Sequence, residues 1–147
     1  MISNEYAAGL FDGEGCLCIR DQKPNSLCVS ADLSLRTRDA VILQDFQNKW
    51  GGVITGRERN NPNSAHASTW SLRNINAVDK FVSDILPFLR VKDKQARVIK
   101  SFCSTGVTQH RRAGLPNAVV ALRQQCFGVL RFLNRCGNDN LNSERYS

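Results

Sequence analysis

Apolar and polar residues alternate along four segments of the chain, which is the pattern of half-buried β-strands. In the first of these segments, for example, Leu17 and Ile19 fall on one side and the polar residues on the other. Polar residues with turn chemistry separate the members of each pair of segments, so two hairpins are predicted. The predicted strands cover residues 16–22, 27–36, 53–59 and 66–73.

Between and after these strands the apolar residues recur with the period of an α-helix. The order helix, hairpin, helix, hairpin, helix predicts an α+β fold, in which one four-stranded antiparallel sheet is covered on one face by helices. At 147 residues the chain is predicted to be a single domain, 1–147. The predicted helices cover about 3–12, 38–50, 77–86, 92–102 and 116–136, and a polar, frayed tail is expected at 137–147.

The outward-facing residues of the predicted sheet are polar or cationic. Such side chains suit base edges and phosphates, and a twisted β-ribbon can enter the major groove of double-stranded DNA. Twenty Lys and Arg against thirteen Asp and Glu give a net charge of +7, which favours a polyanionic partner. The alternative is a solvated sheet face that binds nothing. The predicted DNA-binding residues are Arg20, Gln22, Lys23, Ser30, Asp32, Ser34, Arg36, Thr55, Arg57, Arg59, Thr69, Ser71 and Arg73.

The cysteines do not have the spacing of a zinc site. Six are present, but no two form a Cys-x-x-Cys pair, and the chain has only two histidines. Neither a signal peptide nor an apolar run long enough to span a bilayer is found, so no membrane partner is predicted. Free thiols in a reducing, intracellular compartment are the simplest interpretation.

The most specific signal is the string Ala-Ala-Gly-Leu-Phe-Asp-Gly-Glu-Gly at residues 7–15. Small residues one turn apart, such as Gly9 and Gly13, leave one helix face nearly bare, which predicts a closely packed partner helix. The glycines at the end of the string free the backbone to turn and present Glu14, a carboxylate suited to a hard divalent cation. The alternative is a short helix with a glycine cap, whose glutamate is merely solvated.

This string resembles the LAGLIDADG motif of the homing endonucleases. In that family the motif helices of two domains pack against each other, and their last acidic residues hold the catalytic metal ions. The resemblance implies that Glu14 is a metal ligand with the Gly13 carbonyl beside it, and that the cofactor is a divalent metal, Mg²⁺. Residues 8, 9, 10, 12 and 15 match the motif, and Phe11 and Glu14 are conservative replacements.

Only one copy of the motif is found, although the active site of the family needs two motif helices. The resemblance therefore implies a homodimer with a two-fold axis along the helix pair. Residues 1–13 would form the motif helix and the dimer interface. The residues expected at that interface are Ala8, Gly9 and Asp12.

A second stretch, residues 89–96, resembles the single-motif homodimeric members of the family. There a lysine at the start of the corresponding helix reaches the active site. The matching residue is Lys92, and its neighbour Lys94 is excluded. A lysine near the scissile phosphate stabilises developing charge or polarises the attacking water.

One family feature is missing. Members often carry a glutamine at the end of the second strand that positions the attacking water, and this sequence has none there. One alignment puts Thr37 in its place, whereas an ungapped alignment points to Leu35. Thr37 or Arg36 is therefore the candidate polar substitute, and an inactive enzyme is the alternative outcome.

The resemblance implies a site-specific double-strand DNA endonuclease, a homing endonuclease that hydrolyses one phosphodiester bond in each strand of a long, near-palindromic site. It also implies an intron-encoded protein, since the chain stands alone, and is compatible with a chloroplast or mitochondrial location. Three alternatives stay open. They are an RNA-binding maturase acting on intron RNA, a catalytically degenerate DNA-binding protein of the same fold, and a generic α+β interaction domain.

Overall fold

The computed structural model describes residues 1–23, 26–57, 66–106 and 116–146, with side chains described for 1–21, 26–56, 66–106 and 116–135. Within these ranges the strands are β1 (Gly15–Lys23), β2 (Ser26–Arg36), β3 (Val53–Arg57) and β4 (Ala67–Leu72). The helices are α1 (Asn4–Glu14), α2 (Val41–Trp50), α3 (Ile75–Ile85), α4 (Asp93–Cys103) and α5 (Asn117–Tyr146). Short 3₁₀ turns lie at Thr37–Asp39 and Leu86–Phe88.

The four strands form one antiparallel sheet in the order β1-β2-β4-β3. Leu17 pairs with Ala31, and Leu33 pairs with Trp70, so apolar residues of neighbouring strands face the same side of the sheet. These residues and buried side chains of all five helices make one hydrophobic core. The predicted α+β fold, a four-stranded antiparallel sheet with helices on one face, is therefore confirmed.

Aromatic rings join the sheet to its helices. Trp70 of β4 lies 5.2 Å from Phe46 of α2 and 5.1 Å from Phe81 of α3, measured between ring centroids. Phe11 of α1 packs edge to face against Phe81 at 5.2 Å, a favoured geometry for aromatic pairs. All four residues are fully buried. The motif helix is therefore anchored to the covered face of the sheet through two aromatic contacts.

Helix α1 ends two residues later than predicted. The Gly15 amide still donates to the Phe11 carbonyl, so Glu14 is the last helical residue and not part of a following turn. Gly15 has φ −83°, which any residue can adopt. However, a Cβ at Gly15 would overlap the Phe11 ring. Glycine is needed here for space, and not for the free backbone rotation that the sequence suggested.

Helix α5 also differs from its predicted end near residue 136. Its backbone stays helical to Tyr146, through most of the segment expected to be a frayed tail. No proline follows Pro116, and the one glycine in the segment, Gly137, weakens a helix by only about 1 kcal/mol. Polarity alone therefore did not end this helix. None of the described helices is long and apolar enough to cross a membrane.

Two consecutive glycines connect α2 to β3. Gly51 and Gly52 have φ of 81° and 94°, in the left-handed region that favours glycine. A Cβ at Gly52 would lie 2.6 Å from the Ser71 carbonyl oxygen and 2.9 Å from Trp70 Nε1. Trp70 Nε1 in turn donates to the Gly51 carbonyl at 2.8 Å. This turn therefore needs glycine for both its conformation and its close contact with β4.

We predict that Gly52→Ala lowers the free energy of unfolding by about 1 to 3 kcal/mol, because the alanine combines a strained φ with a steric clash. Gly56→Ala in β3 is the matched control, since a Cβ there meets no atom within 4 Å. It should leave stability unchanged or raise it by roughly 0.5 kcal/mol. Urea unfolding followed by circular dichroism measures both, and equal effects of the two variants would contradict the account.

Candidate functional site

Helix α1 has one buried and one open face. Ala7 and Ala8 are fully buried in the core of the chain itself. On the other side Gly9 and Gly13 are exposed, and a Cβ at either would meet no atom within 4 Å. The bare face predicted from the sequence therefore exists, but the two glycines form it. Ala8, expected at the dimer interface, is a core residue.

Asp12 is also used within the chain. Its carboxylate accepts hydrogen bonds from the backbone amides of Arg90 (2.8 Å), Val91 (3.2 Å) and Lys92 (3.0 Å). The Lys92 Nζ donates to the Asp12 carbonyl at 2.6 Å. These four hydrogen bonds fasten the turn before α4 to the last turn of α1. The helical spacing gave no sign of these partners within the chain, while the place of Asp12 at a dimer interface stays a prediction. We call this arrangement the Asp12 clamp.

The clamp brings Lys92 to the end of α1, where it contacts Asp12, the residue two positions before Glu14. Lys92 occupies the position just before the first residue of α4, and its side chain turns back to α1. Lys94, one residue into α4, is exposed. Of the two lysines, the one singled out by the sequence is thus the one held against the motif helix.

Glu14 is an exposed carboxylate at the point where α1 passes directly into β1. In the described part of the chain, no three His, Cys, Asp or Glu side chains are grouped so that they could hold a metal ion. Magnesium is commonly bound through only one or two carboxylates, with water and substrate phosphate completing its shell. Glu14 and the adjacent Gly13 carbonyl could therefore supply some of the ligands of a magnesium site, but not all of them.

The candidate substitutes for the missing glutamine, Arg36 and Thr37, lie at the end of β2, away from the start of β1 that follows Glu14. Gly15, the first residue of β1, pairs with Leu33, so Thr37 is four residues further along the chain, in the 3₁₀ turn that follows β2. At a strand rise of ~3.3 Å per residue, that is roughly 13 Å. The Thr37 hydroxyl lies 3.3 Å from Ser68 Oγ, so its hydrogen bond leads to β4 and not to Glu14. Arg36 is exposed.

Asp32 organises the centre of the polar sheet face. Its carboxylate accepts hydrogen bonds from Ser30 Oγ (3.1 Å) and Ser71 Oγ (2.6 Å). The Arg20 guanidinium lies 3.6 Å away and forms an ion pair with it. The Asp32 side chain is only 15% exposed. This network joins β1, β2 and β4, and it leaves Asp32 and the buried Ser30 little surface for a direct contact with a base.

Other residues of the predicted DNA-binding set are open to solvent or close to one another. Arg20 and Arg73 line one surface pocket, so two cations share a small area of the sheet. The hydroxyls of Ser34 and Thr69 are 2.7 Å apart, and Thr55 is exposed on the edge strand β3. Arg59 and the side chains of Gln22, Lys23 and Arg57 lie outside the described residues.

Two thiols touch at the start of β1. Cys16 is exposed and Cys18 is half-buried, and their Sγ atoms are 3.2 Å apart. A hydrogen bond from the Cys16 thiol, helped by the Arg20 charge, lowers the pKa of Cys18 to about 6 against the opposing effect of burial. The same contact raises the pKa of Cys16, which burial raises further. The sequence placed these cysteines on this face but gave no sign of their contact.

Comparison with known proteins identifies the class of fold. Sequence comparison finds no matching protein-family model and no matching curated relative. Among solved structures, the homing endonuclease I-TnaI superposes with a TM-score of 0.69 at 14% identity, over 94% of this chain and 97% of that one. I-CvuI, in complex with its target in the presence of calcium, gives 0.64 at 22% identity, over 86% of this chain and 80% of that one.

A longer protein matches through part of its length. The LAGLIDADG homing endonuclease I-GzeII, in complex with its DNA target, gives a TM-score of 0.65 at 17% identity. The match covers 89% of this chain but only 44% of that chain. At such identities the likeness establishes the fold. The chain has the LAGLIDADG homing endonuclease fold, and the resemblance inferred from residues 7–15 is confirmed at that level.

We predict that Asp12→Ala lowers the free energy of unfolding by about 1 to 3 kcal/mol, because it leaves three amides without their acceptor. Asp12→Asn keeps one acceptor oxygen and should lose less. Asp45→Ala, at an exposed position of α2, is the control and should change stability by less than about 0.5 kcal/mol. Thermal unfolding measures all three. An Asp12→Ala protein as stable as the Asp45→Ala protein would contradict the clamp.

Proposed function

We propose that the chain is one subunit of a homodimeric, site-specific endonuclease that hydrolyses one phosphodiester bond in each strand of double-stranded DNA. The observation that carries the proposal is the convergence at the end of α1. There Glu14 is the exposed last residue of α1, the Lys92 Nζ donates to the carbonyl of Asp12 two residues earlier, and β1 of the polar sheet begins at Gly15. The fold supports the proposal, since I-CvuI and I-GzeII, which share it, are homing endonucleases described in complex with DNA.

The open face of α1 supports the homodimer. Exposed glycines let two helix backbones approach closely, as small residues do in other helix pairs. A two-fold axis beside Gly9 and Gly13 would bring the same end of α1 from both subunits together. Two copies of Glu14 would then face one site. The partial match to I-GzeII is consistent with this, since that chain is about twice as long as the matched unit.

Glu14 of both subunits would hold the divalent metal, for which Mg²⁺ is the candidate in the cell. When bound, the metal supplies an activated water and stabilises the departing 3′ oxygen. The Lys92 ammonium adds positive charge beside the phosphate as negative charge develops on it. Asp12 takes no part in the chemistry but keeps the lysine backbone in place through its hydrogen bonds.

The polar sheet face would contact the two halves of a long, near-palindromic site. Arg20 and Arg73, which share one surface pocket, suit a backbone phosphate, whereas the hydroxyls of Ser34 and Thr69 suit base edges. Two chains carry a net charge of 2 × 7 = +14, which strengthens attraction to DNA. The ion pair with Asp32 holds Arg20 in a defined direction for this contact.

One observation favours a second candidate, a DNA-binding protein that does not cut. Thr37, the nearest sequence substitute for a water-positioning glutamine, is bonded to β4. A nuclease without that group would depend on Glu14 and Lys92 alone to orient the water. Metal-independent, salt-sensitive binding without cleavage would identify this alternative.

We predict that the protein cuts a discrete, near-palindromic sequence from a randomised duplex library in Mg²⁺. Glu14→Gln and Lys92→Met should each lower the cleavage rate by roughly 100-fold or more, because each removes a charge beside the reacting phosphate. Lys94→Met is the matched control and should retain cleavage, since Lys94 is exposed on α4. Sequencing of the cut ends gives the target and the rates.

The outcomes separate the candidates. Binding of DNA by all variants without any cleavage would reject the nuclease in favour of the DNA-binding protein. If the unaltered protein binds structured intron RNA but no duplex DNA, the maturase becomes the better account. Equal losses in Lys92→Met and Lys94→Met would reject the role assigned to Lys92.

We predict that Gly9→Leu converts the dimer into a monomer, because the leucine side chain fills the open face of α1. Gly128→Leu on α5 is the matched control. Both glycines are exposed helical residues whose added Cβ meets no atom within 4 Å, so both variants should keep the fold. Sedimentation equilibrium should give one chain per particle for Gly9→Leu and two for Gly128→Leu. Two chains per particle in both variants would exclude this face as the interface.

A further inference from the structure

The contact between Cys16 and Cys18 is not used by the proposed chemistry. The two residues are separated by one residue of β1, so their side chains stand on the same face of the sheet. Cys16 pairs with Asp32 of β2, and Cys18 pairs with Ser30. Their Sγ atoms are 3.2 Å apart, and Cys16 is exposed to solvent. A small oxidant can therefore reach the pair directly.

We propose that Cys16 and Cys18 form a redox-sensitive site, which hydrogen peroxide or another hydroperoxide converts into an intrachain disulfide that reversibly suppresses DNA cleavage. The oxidation itself is independent of the function proposed above. Its effect on cleavage rests on that function. The two parts are therefore tested by separate measurements.

The chemistry needs only the two thiols and a peroxide. The Cys18 sulfur attacks one peroxide oxygen and the O–O bond breaks, so the sulfur becomes a sulfenic acid after losing two electrons. The leaving oxygen takes up the proton lost by the thiol and departs as water from hydrogen peroxide, or as an alcohol from another hydroperoxide. The Cys16 sulfur then attacks the Cys18 sulfur. An S–S bond forms, the S–O bond breaks, and the hydroxyl leaves as water with the Cys16 proton. The lowered pKa of Cys18 assigns it the first step, since the thiolate is the nucleophile.

The position of the pair decides what the bridge does to the protein. Alternate residues of an extended strand are about 6.6 Å apart at Cα, and their parallel side chains start at a similar separation, whereas the two Cβ atoms of a disulfide are only about 3.5 to 4.5 Å apart. The sulfur atoms must also approach from 3.2 Å to bonding distance. Closing the bridge therefore shortens β1. This is feasible because β1 is an edge strand that pairs only with β2 in the described sheet.

That shortening acts next to the proposed catalytic end. Leu17, between the two cysteines, is buried in the core, and its carbonyl accepts a hydrogen bond from Asn134 of α5 at 3.3 Å. Both contacts hold Leu17 in place, so the contraction of β1 is taken up by the residues on either side of the two cysteines. One of these is Gly15, which directly follows Glu14. Oxidation would thus displace the Glu14 carboxylate.

The first test is chemical and needs no DNA. The chain has no Lys or Arg before Arg20, so trypsin releases residues 1–20 as one peptide that contains Cys16 and Cys18 and no other cysteine. After brief peroxide treatment and alkylation, this peptide should lose two hydrogen atoms in mass, take up no alkyl group, and recover both sites after dithiothreitol. The buried Cys103 and Cys126 are internal controls. Burial raises the pKa of both, to about 12 for Cys103, so they should stay reduced.

Single variants test the order of the steps. In Cys16→Ser the reaction should stop at a sulfenic acid on Cys18, which dimedone traps. In Cys18→Ser the remaining Cys16 should form less dimedone adduct over the same time than Cys18 forms in Cys16→Ser, since Cys18 is the assigned first nucleophile. If residues 1–20 keep two free thiols while another cysteine oxidises, or if Cys18 forms its bridge with Cys28 instead, the proposal is overturned.

The second test compares each protein with itself before and after peroxide. Cleavage by the unaltered protein should fall by roughly 100-fold, the order expected when a catalytic group moves by about 1 Å, and dithiothreitol should restore it. The Cys16→Ser/Cys18→Ser protein should show the same rate with and without peroxide. Unchanged cleavage by a fully bridged protein would overturn the proposed effect. A protein that never cleaves contradicts the proposed function, while the peptide masses still decide the oxidation.

Discussion

The hydrogen bonds between the Asp12 carboxylate and the amides of residues 90–92 are the constraint on which the rest of the site depends. They fix the start of α4 against the end of α1. One residue before Asp12, Phe11 anchors α1 to Phe81 and so to the sheet. The sheet, the motif helix and the turn that carries Lys92 therefore form one unit, and Lys92 and Glu14 reach the same end of α1 because of it.

The periodicity of the sequence predicted most of the elements, because the spacing of apolar residues reports directly on which side of a strand or helix is buried. The ends of the elements were less predictable. Helix α1 extends to Glu14, where the Gly15 amide still donates to the Phe11 carbonyl and the Phe11 ring fills the space of a Cβ at Gly15. Helix α5 continues through a polar segment expected to fray. Such ends depend on tertiary contacts or on weak local preferences that polarity does not report.

Only part of the candidate site was predicted, because the contacts between its elements are likewise not written in local sequence patterns. The motif string singled out Glu14, and the second stretch singled out Lys92. Helical spacing grouped Ala8 with Asp12 but did not say which face turns inward, so it showed neither that Ala8 lies in the core nor that Asp12 bonds the turn before α4. Similarly, the alternation of polar and apolar residues placed Asp32 on the polar face of the sheet. Its partner Ser71 is 39 residues away in sequence, and the two meet only because of the register between β2 and β4, which alternation does not report.

The central claim is that two copies of this chain act together on one duplex, and native mass spectrometry tests it most directly. The unaltered protein would be mixed with its selected target duplex in Ca²⁺, with the concentration of protein varied from below to above that of DNA. The account predicts a complex of two chains and one duplex, with little of the one-chain complex at any ratio. A single chain per duplex under conditions that give specific cleavage in Mg²⁺ would contradict it.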